Sequence, residues 1–417
     1  MRPLAFVKKI LRTAGPGVIT GASDDDPSGI ATYTQAGALL GFQTLWTALL
    51  TFPLMATVQG MCARIGLVTG KGLTSIIRLF YPRWLLYATL IVSFPAIALN
   101  IGADIDGMAA VTHLLFPRVS AGLCSIAYAV VLIVLIIRFP YAKIASILKW
   151  LCVVLFLYMI VPFVVHVDWS AVVRHTFIPT LHFNKDFLNM LVAILGTTIS
   201  PYLFFWQATM EAEGKKEKKG EIRINKQVLG DMTTDVNLGM FFSNLVMFFI
   251  ILTAGAVLFP HGTHQVDTIA QAAEALKPLA GNLTYLLFSV GVIGTGLLAV
   301  PVLAGSIAYI TAETFHAPQG LNKRFGEAPL FYTTLILSVI VGLCVHFTGI
   351  GPVKALIYTA VLYGLTAPVM IGVVLHIGNN KAIMGKHTNS RLSNVLGWIT
   401  LVFMSAAAGG LIWLTLF

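Results

Sequence analysis

The chain carries the stretch Thr20-Gly21-Ala22-Ser23-Asp24-Asp25-Asp26-Pro27-Ser28-Gly29 near its start and Gly196-Thr197-Thr198-Ile199-Ser200-Pro201-Tyr202 halfway along. Each stretch lies in the middle of an apolar segment and contains a proline, which removes a backbone hydrogen bond from a helix. At membrane depth the freed carbonyls are tolerated only where they face protein, water or a ligand. A carboxylate there costs roughly 2.5–3.5 kcal/mol and is usually tied to function. The two stretches are therefore a candidate ion site.

Composition predicts an all-α membrane protein. Of the 417 residues, 57% are apolar and 11% are charged, whereas a soluble domain has about 25% charged residues. A membrane-spanning helix needs about 20 predominantly apolar residues. Hydropathy predicts eleven transmembrane helices in a single domain over residues 1–417, numbered here in chain order: 13–37, 41–66, 83–113, 120–138, 143–165, 187–210, 228–258, 283–314, 330–350, 352–377 and 393–416.

The two proline breaks fall at matching positions of two chain halves, near the centres of helices 1 and 6. This pattern is typical of secondary transporters built from inverted repeats. We expect the first repeat at 13–165, the second at 187–377, and one extra helix at 393–416. In such a fold the unwound carbonyls and half-helix C-terminal ends attract cations, whereas half-helix N-termini attract anions. Three consecutive aspartates beside one break favour a cation.

The distribution of cations predicts the orientation in the membrane. If the N-terminus is cytoplasmic, 22 of the 27 Lys and Arg residues lie at cytoplasmic helix ends or loops. This asymmetry predicts a cytoplasmic N-terminus and an extracytoplasmic C-terminus. Residues 1–12 alternate apolar and basic side chains, and we interpret them as an interfacial segment on the inner leaflet. A prokaryotic plasma or inner membrane fits these features.

Several function classes are excluded by what the sequence lacks. The net charge of +10 is spread loop by loop with no basic domain, which argues against a nucleic-acid partner. No Gly-x-x-x-x-Gly-Lys-Ser/Thr phosphate loop occurs, so no nucleotide is expected. The four cysteines show no metal-binding or disulfide spacing. We expect no enzyme activity and no cofactor, with a divalent ion and the lipid bilayer as the partners.

The residues resemble the NRAMP (natural resistance-associated macrophage protein) family of divalent metal transporters over nearly the whole chain. The resemblance implies a fold of the LeuT type, with a 5+5 inverted repeat and broken helices 1 and 6, and metal transport by alternating access. The similar stretches are Val58–Leu73 after helix 2, Ala103-Asp104-Ile105-Asp106 in helix 3, Leu148–Leu151 in helix 5 and Gly196–Thr209 in helix 6.

Departures from the family pattern concern the ligands. Typical members have Asp-Pro-Gly-Asn at the first break, where this chain has Asp26-Pro27-Ser28-Gly29, and Met-Pro-His at the second, where it has Ser200-Pro201-Tyr202. A thioether favours transition metals, whereas oxygen ligands suit Mg²⁺, Mn²⁺ and Ca²⁺. The chain therefore resembles the magnesium-transporter branch related to this family, and we expect Asp26 to meet the ion without a protein partner of its own. The predicted ion ligands are Asp26, Ser200, Asp25, Gly29, Ile199 and Ser23.

Parts of the family's proton route are missing. Asp104 matches the first of two acids on helix 3, but the second position is Gly107, the helix 6 histidine is Tyr202, and the predicted helix 9 at 330–350 has no Arg or Lys. A tyrosine with an ordinary pKa near 10 does not titrate at physiological pH. We therefore expect uptake without proton coupling. Candidate relay or vestibule residues are Asp24, Asp104, Asp106 and Tyr202.

Alternative functions stay open at this point. One is a proton-coupled Mn²⁺/Fe²⁺ symporter of the typical family kind. Another is a LeuT-type carrier of a small organic solute, which the three adjacent aspartates disfavour. A non-transporting receptor is a third, although no long polar segment offers a sensory domain.

Overall fold

A computed structural model describes residues 15–139, 153–217 and 224–416. Over these residues the secondary structure is helical, with no β-strand. The predicted interfacial segment 1–12 and the first part of predicted helix 5, 143–152, lie outside the described residues.

Most of the predicted helices lie close to the observed ones, although helix 6 ends at 217 and not at 210, and helix 9 ends at 343 and not at 350. Their bounds are Pro16–Asp24 (1a) and Pro27–Leu40 (1b), Leu45–Thr69 (2), Arg83–Leu115 (3), Ala121–Arg138 (4), Lys185–Thr198 (6a) and Pro201–Glu217 (6b), Lys226–Val257 (7), Thr284–Thr314 (8), Pro329–Leu343 (9), Pro352–Asn379 (10) and Arg391–Leu416 (11). The described end of helix 5 is a 3-10 helix, Val153–Met159, followed by a short α-helix, Val161–Val164.

Shorter helices connect the spans. They are the α-helices Leu73–Phe80, Trp169–Phe177, Ile269–Ala273, Lys277–Ala280 and Lys381–Met384, and the 3-10 helices Phe259–His261, Glu274–Leu276, Gly281–Leu283, Phe325–Glu327 and Cys344–Thr348. In the described part of the chain, nine spans are long and apolar enough to cross a membrane. Helices 1 and 5 are not among the nine, and helix 5 is described only in part.

Helices 1 and 6 are broken for a local reason. A proline has no N–H to donate and pushes the preceding residue out of the helical conformation. Asp26 before Pro27 accordingly has an extended backbone, with φ −72° and ψ 171°. Asp25 (φ −83°, ψ 50°) and Ile199 (φ −114°, ψ 57°) each lie two residues before the proline of their break. Both have non-helical backbone angles and end helices 1a and 6a, respectively.

The broken helices lie at the centre of the packing. Helix 7 packs along both halves of helix 1 and against helix 2, while helix 6b packs against helices 2 and 8 and helix 6a against helix 10. In the most apolar stretch of helix 6, 94% of the residues are buried, compared with 28% in helix 4. A helix buried in protein can carry polar backbone and side chains at membrane depth, which a lipid-facing helix cannot.

Helix 1a is held at its N-terminus by helix 7. The two carboxylate oxygens of Asp235 accept hydrogen bonds from the backbone N–H groups of Gly15 and Gly17, at 2.9 and 2.7 Å. An acidic group at a helix N-terminus satisfies unpaired N–H groups and complements the helix dipole. Farther along helix 1a, Thr20 Oγ1 donates to Gln207 Oε1 of helix 6b at 2.6 Å. Helix 1a is thereby fixed against helices 6b and 7.

Candidate metal site

The hydrogen bonds that the prolines remove are replaced by side chains. In an unbroken helix Pro27 would bond to the carbonyl of Ser23, and this oxygen instead accepts a hydrogen bond from the Tyr202 hydroxyl at 3.3 Å. The corresponding carbonyl in helix 6, that of Thr197, lies 2.8 Å from the Ser200 hydroxyl. The two breaks therefore satisfy part of their own polar backbone, as burial requires.

The two breaks lie side by side. Ser28 Oγ, at the start of helix 1b, lies 3.3 Å from Thr197 Oγ1 at the end of helix 6a. The bond from Tyr202 to Ser23 joins helix 6b to helix 1a in the same way. The structure thus brings together the predicted ligands Asp26, Ser200, Ile199 and Ser23, all of which are buried.

Asp26 is not unpaired, contrary to the expectation from the sequence. Its Oδ1 accepts a hydrogen bond from the backbone N–H of Gly29 at 2.7 Å, so Asp26 caps helix 1b. Its Oδ2 accepts a hydrogen bond from the Asn100 Nδ2 group of helix 3 at 3.1 Å. The extended backbone before Pro27 turns the side chain back over the first turn of helix 1b, which is the usual geometry of an N-cap. The Asp26 carboxylate is therefore held in a defined orientation by two hydrogen bonds.

The other two aspartates point elsewhere. The Ser243 hydroxyl of helix 7 lies 2.7 Å from Asp24 Oδ2 and 3.3 Å from Asp25 Oδ1. Both residues are buried, and Asp24 Oδ1 has no hydrogen-bond partner among the described residues. No group of three or more His, Cys, Asp or Glu side chains converges on one point in the described part of the chain. Protein carboxylates alone therefore do not complete a metal shell here.

Gly29 occupies the position of the family's asparagine and faces the site. A Cβ atom at this position would lie 3.4 Å from the Asp24 carbonyl oxygen, 3.6 Å from Asp26 Oδ1 and 3.3 Å from the Tyr33 ring. Ser200 is buried and shares its hydroxyl hydrogen between the carbonyls of Gly196 and Thr197, each at 2.8 Å. Its oxygen lone pairs are left for another partner.

Asp104 lies on the face of helix 3 that approaches the site. It is fully buried near Asp26 and Ser28, and no described group forms a hydrogen bond of normal geometry with its carboxylate oxygens. A Cβ atom at Gly107 would lie 3.6 Å from Pro27 and 3.5 Å from Leu356, so this position also faces the break. Among the described residues, no ion pair involves Asp104.

Asp106 belongs to a second cluster that the sequence did not predict. Its Oδ1 lies 2.9 Å from both the Ser125 hydroxyl of helix 4 and Nδ1 of His346, in the 3-10 helix after helix 9. Gly122 makes room for the imidazole, because a Cβ atom there would lie 2.9 Å from His346 Nε2. Helix 9 has no Lys or Arg, but the segment that follows it does supply a titratable group facing helix 3.

A cavity of about 280 Å³ reaches the second break from the side of helices 3 and 10. Pro201 and Tyr202 form one end, and the remaining walls are mainly aliphatic and aromatic, with Trp84 and Val369 exposed at its rim. Apolar walls do not suit a hydrated cation. This cavity is therefore not part of the candidate site.

Known proteins are similar to this chain over nearly its whole length. The family model described as natural resistance-associated macrophage protein-like matches residues 17–414. A divalent metal cation transporter MntH of Caldanaerobacter subterraneus is 26% identical over 98% of this chain and 94% of its own length. MntH of Klebsiella pneumoniae is 26% identical over 96% of this chain and 94% of its own length.

Solved structures share the fold. A manganese transporter of Eremococcus coleocola superposes with a TM-score of 0.75 at 20% identity, covering 98% of this chain and 87% of its own. Mhp1, a nucleobase-cation-symport-1 family transporter, superposes with a TM-score of 0.58 at 13% identity, covering 96% of this chain and 92% of its own. The family model extends across both broken helices and all the predicted site residues, and on this basis the chain belongs to the Nramp family of transporters.

Proposed function

We propose that this protein is a secondary transporter that moves divalent metal cations across the membrane by alternating access, with Mg²⁺ as the first candidate and Mn²⁺ as the second. The observation that carries the proposal is the set of donors at the two breaks. Residues 24–29 and 197–202 offer carboxylate, hydroxyl and carbonyl oxygens, with neither a thioether nor an imidazole. Oxygen ligands suit Mg²⁺, Mn²⁺ and Ca²⁺.

The sparse ligand set favours a partly hydrated ion. Mg²⁺ dehydrates reluctantly and usually keeps several waters while binding one or two carboxylates. Asp26 supplies one oriented carboxylate, and Asp24 and Asp25 turn toward Ser243. In this proposal, water completes the shell that the asparagine and methionine of typical family members would fill.

Proteoliposome flux tests the proposal. With a negative internal potential, purified protein should give slow, saturable Mg²⁺ uptake that Mn²⁺ inhibits and neutral amino acids do not. Saturable Mn²⁺ uptake without any Mg²⁺ uptake would instead identify a manganese carrier with an unusual site. Inhibition by amino acids would favour the organic-solute alternative, and large unitary currents would indicate a channel.

A proton-coupled Mn²⁺ symporter is the second candidate function. The similar proteins are divalent metal cation transporters and a manganese transporter. The specific structural observation is the pair of Asp106 and His346, which joins helix 3 to the end of helix 9. A neutral imidazole has one ring nitrogen that can accept a proton. We nevertheless place uncoupled uptake first, because this pair does not touch the residues of the two breaks.

The proposed membrane topology is based on the distribution of Lys and Arg residues. We infer a prokaryotic plasma or inner membrane, a cytoplasmic N-terminus, an extracytoplasmic C-terminus, and two repeats at 13–165 and 187–377. Reporter fusions at the two termini test the orientation. A C-terminal fusion that reports the cytoplasm would contradict it.

A further inference from the structure

Asn100 is a fully buried amide in the middle of helix 3, at a depth where polar groups are costly unless they are paired. Its Nδ2 lies 3.1 Å from Asp26 Oδ2, and its Oδ1 lies 2.9 Å from the Thr359 hydroxyl of helix 10. No feature of the sequence had singled out either residue. Together they form a chain from helix 10 through helix 3 to the ion-binding carboxylate.

The partners determine which way the amide points. An ionised carboxylate only accepts hydrogen bonds, so the NH₂ group of Asn100 must face Asp26. Its oxygen then faces Thr359, whose hydroxyl can donate. That hydroxyl is also 2.7 Å from the Leu356 carbonyl, so its one hydrogen is shared between two acceptors. Removing the hydroxyl would leave Asn100 Oδ1 buried without its donor.

With Asn100 in place, each oxygen of Asp26 already accepts one hydrogen bond, from Gly29 N–H and from Asn100. A metal that binds both oxygens symmetrically would have to compete with both donors. A metal that takes a single oxygen and fills its shell with water would compete with only one of them. Ca²⁺ accepts bidentate carboxylates and six to eight oxygens, whereas Mg²⁺ binds carboxylates sparingly and keeps its waters.

We propose that Asn100 is a positioning and selectivity residue, held by Thr359, that keeps Asp26 in a one-oxygen binding mode and so favours small hydrated ions over Ca²⁺. The inference rests on the proposed function, since it concerns how the same carboxylate meets its ion. It assigns a role to two residues outside the predicted ligand set.

Uptake kinetics of three variants test this role. In Asn100→Leu proteoliposomes the ratio of the KM for Ca²⁺ to the KM for Mg²⁺ should fall about tenfold, because Ca²⁺ would no longer compete with a hydrogen bond to the charged carboxylate. Thr359→Val should shift the ratio of the two KM values in the same direction by a smaller factor. Thr359→Ser keeps the hydroxyl and should restore the wild-type ratio.

Thr366→Val is the matched control on helix 10, because the Thr366 hydroxyl bonds only to carbonyls of its own helix, those of Leu362 and Tyr363. It should leave the ratio unchanged. A Ca²⁺-to-Mg²⁺ ratio that stays at the wild-type value in both Asn100→Leu and Thr359→Val would overturn the inference, even if transport rates fall. If Asn100→Leu does not fold, Thr359→Val alone decides. Absence of saturable divalent uptake by the wild-type protein would refute the proposed function itself.

Discussion

At the scale of single residues, adjacent aspartates have different surroundings because each backbone conformation differs. Asp24 ends helix 1a and faces Ser243, whereas Asp26 is extended before Pro27 and caps helix 1b. A capping carboxylate stabilises its helix as well as attracting an ion. A substitution at Asp26 therefore changes both the helix cap and the charge, and two variants are needed to separate these effects.

Asp26→Asn should abolish saturable divalent uptake with little loss of stability, because asparagine is also a good N-cap but carries no charge. Asp26→Ala should abolish uptake and also lower the free energy of unfolding by about 1 kcal/mol, through loss of the cap. Flux and thermal unfolding of the purified variants measure the two effects. Wild-type kinetics in a folded Asp26→Asn protein would remove Asp26 from the site. Asp25→Ala should have the smaller effect on uptake.

Ser200→Met combined with Gly29→Asn should shift preference from Mg²⁺ toward Mn²⁺ and Cd²⁺, because it introduces a thioether and an amide oxygen at the two breaks. A Cβ atom at position 29 would require the Tyr33 ring to move by only a few tenths of an ångström. Competition of each metal for uptake gives the relative affinities. Unchanged ratios of Mn²⁺ to Mg²⁺ affinity would show that these positions do not set selectivity.

At the scale of helices, close backbone contact holds the broken helices against their neighbours. Gly66 of helix 2 lies directly against the Ala208 carbonyl of helix 6b, and Gly21 of helix 1a lies against Gly239 of helix 7. Small residues allow this approach in membrane proteins, where close packing replaces the hydrophobic effect between helices. The positions of helices 1a and 6b thus depend on glycines at these two contacts.

Gly66→Ala should destabilise the protein by about 1–3 kcal/mol, as overpacking does, and should slow uptake by displacing helix 6b. A Cβ atom at Gly66 would overlap the Ala208 carbonyl. Gly60→Ala on the same helix is the control, because nothing lies within 4 Å of a Cβ atom there. Alanine favours a helix over glycine by up to about 1 kcal/mol, so this control should not lower the melting temperature. Equal melting temperatures for the two variants would contradict the packing argument.

At the scale of the whole molecule, the proposed alternating access would require the two broken helices to move relative to the rest. Hydrogen bonds connect helix 1a to helices 6b and 7, and they connect Asp26, the N-cap of helix 1b, to helix 3. In the proposed transport cycle, part of these contacts would break on each side in turn. Any proton that accompanied the ion would have two candidate carriers, buried Asp104 and the Asp106–His346 pair.

We predict that metal entry carries no protons. Proteoliposomes containing a pH-sensitive dye should show no internal acidification when external Mg²⁺ or Mn²⁺ enters under a negative internal potential. Saturable acidification that depends on metal would contradict the prediction. Its loss in Asp104→Asn would then identify the helix 3 acid as the carrier, whereas its loss in His346→Gln would identify the pair.

Much of the fold could be predicted from the sequence because its determinants are local. A span is recognised from about 20 consecutive apolar residues, and most of the described helices begin and end near the predicted limits. The breaks were also predictable, since a proline acts on its own hydrogen bond and on the residue before it. Asp26 and Ser200 therefore stand out from the sequence alone, as does the oxygen-rich character of the donors.

Only the tertiary structure decided which groups those residues meet. Asp26 and Asn100 are 74 residues apart, Asp24 and Ser243 are 219 apart, and Asp106 and His346 are 240 apart. Such contacts depend on the rotation and depth of each helix in the packed bundle, which no local pattern in one sequence specifies. The sequence by itself therefore determined where the two helix breaks, and with them the candidate ion site, lie along the chain. Helix packing determined that Asp26 accepts a hydrogen bond from Asn100, that its two neighbours turn to helix 7, and that a histidine faces helix 3.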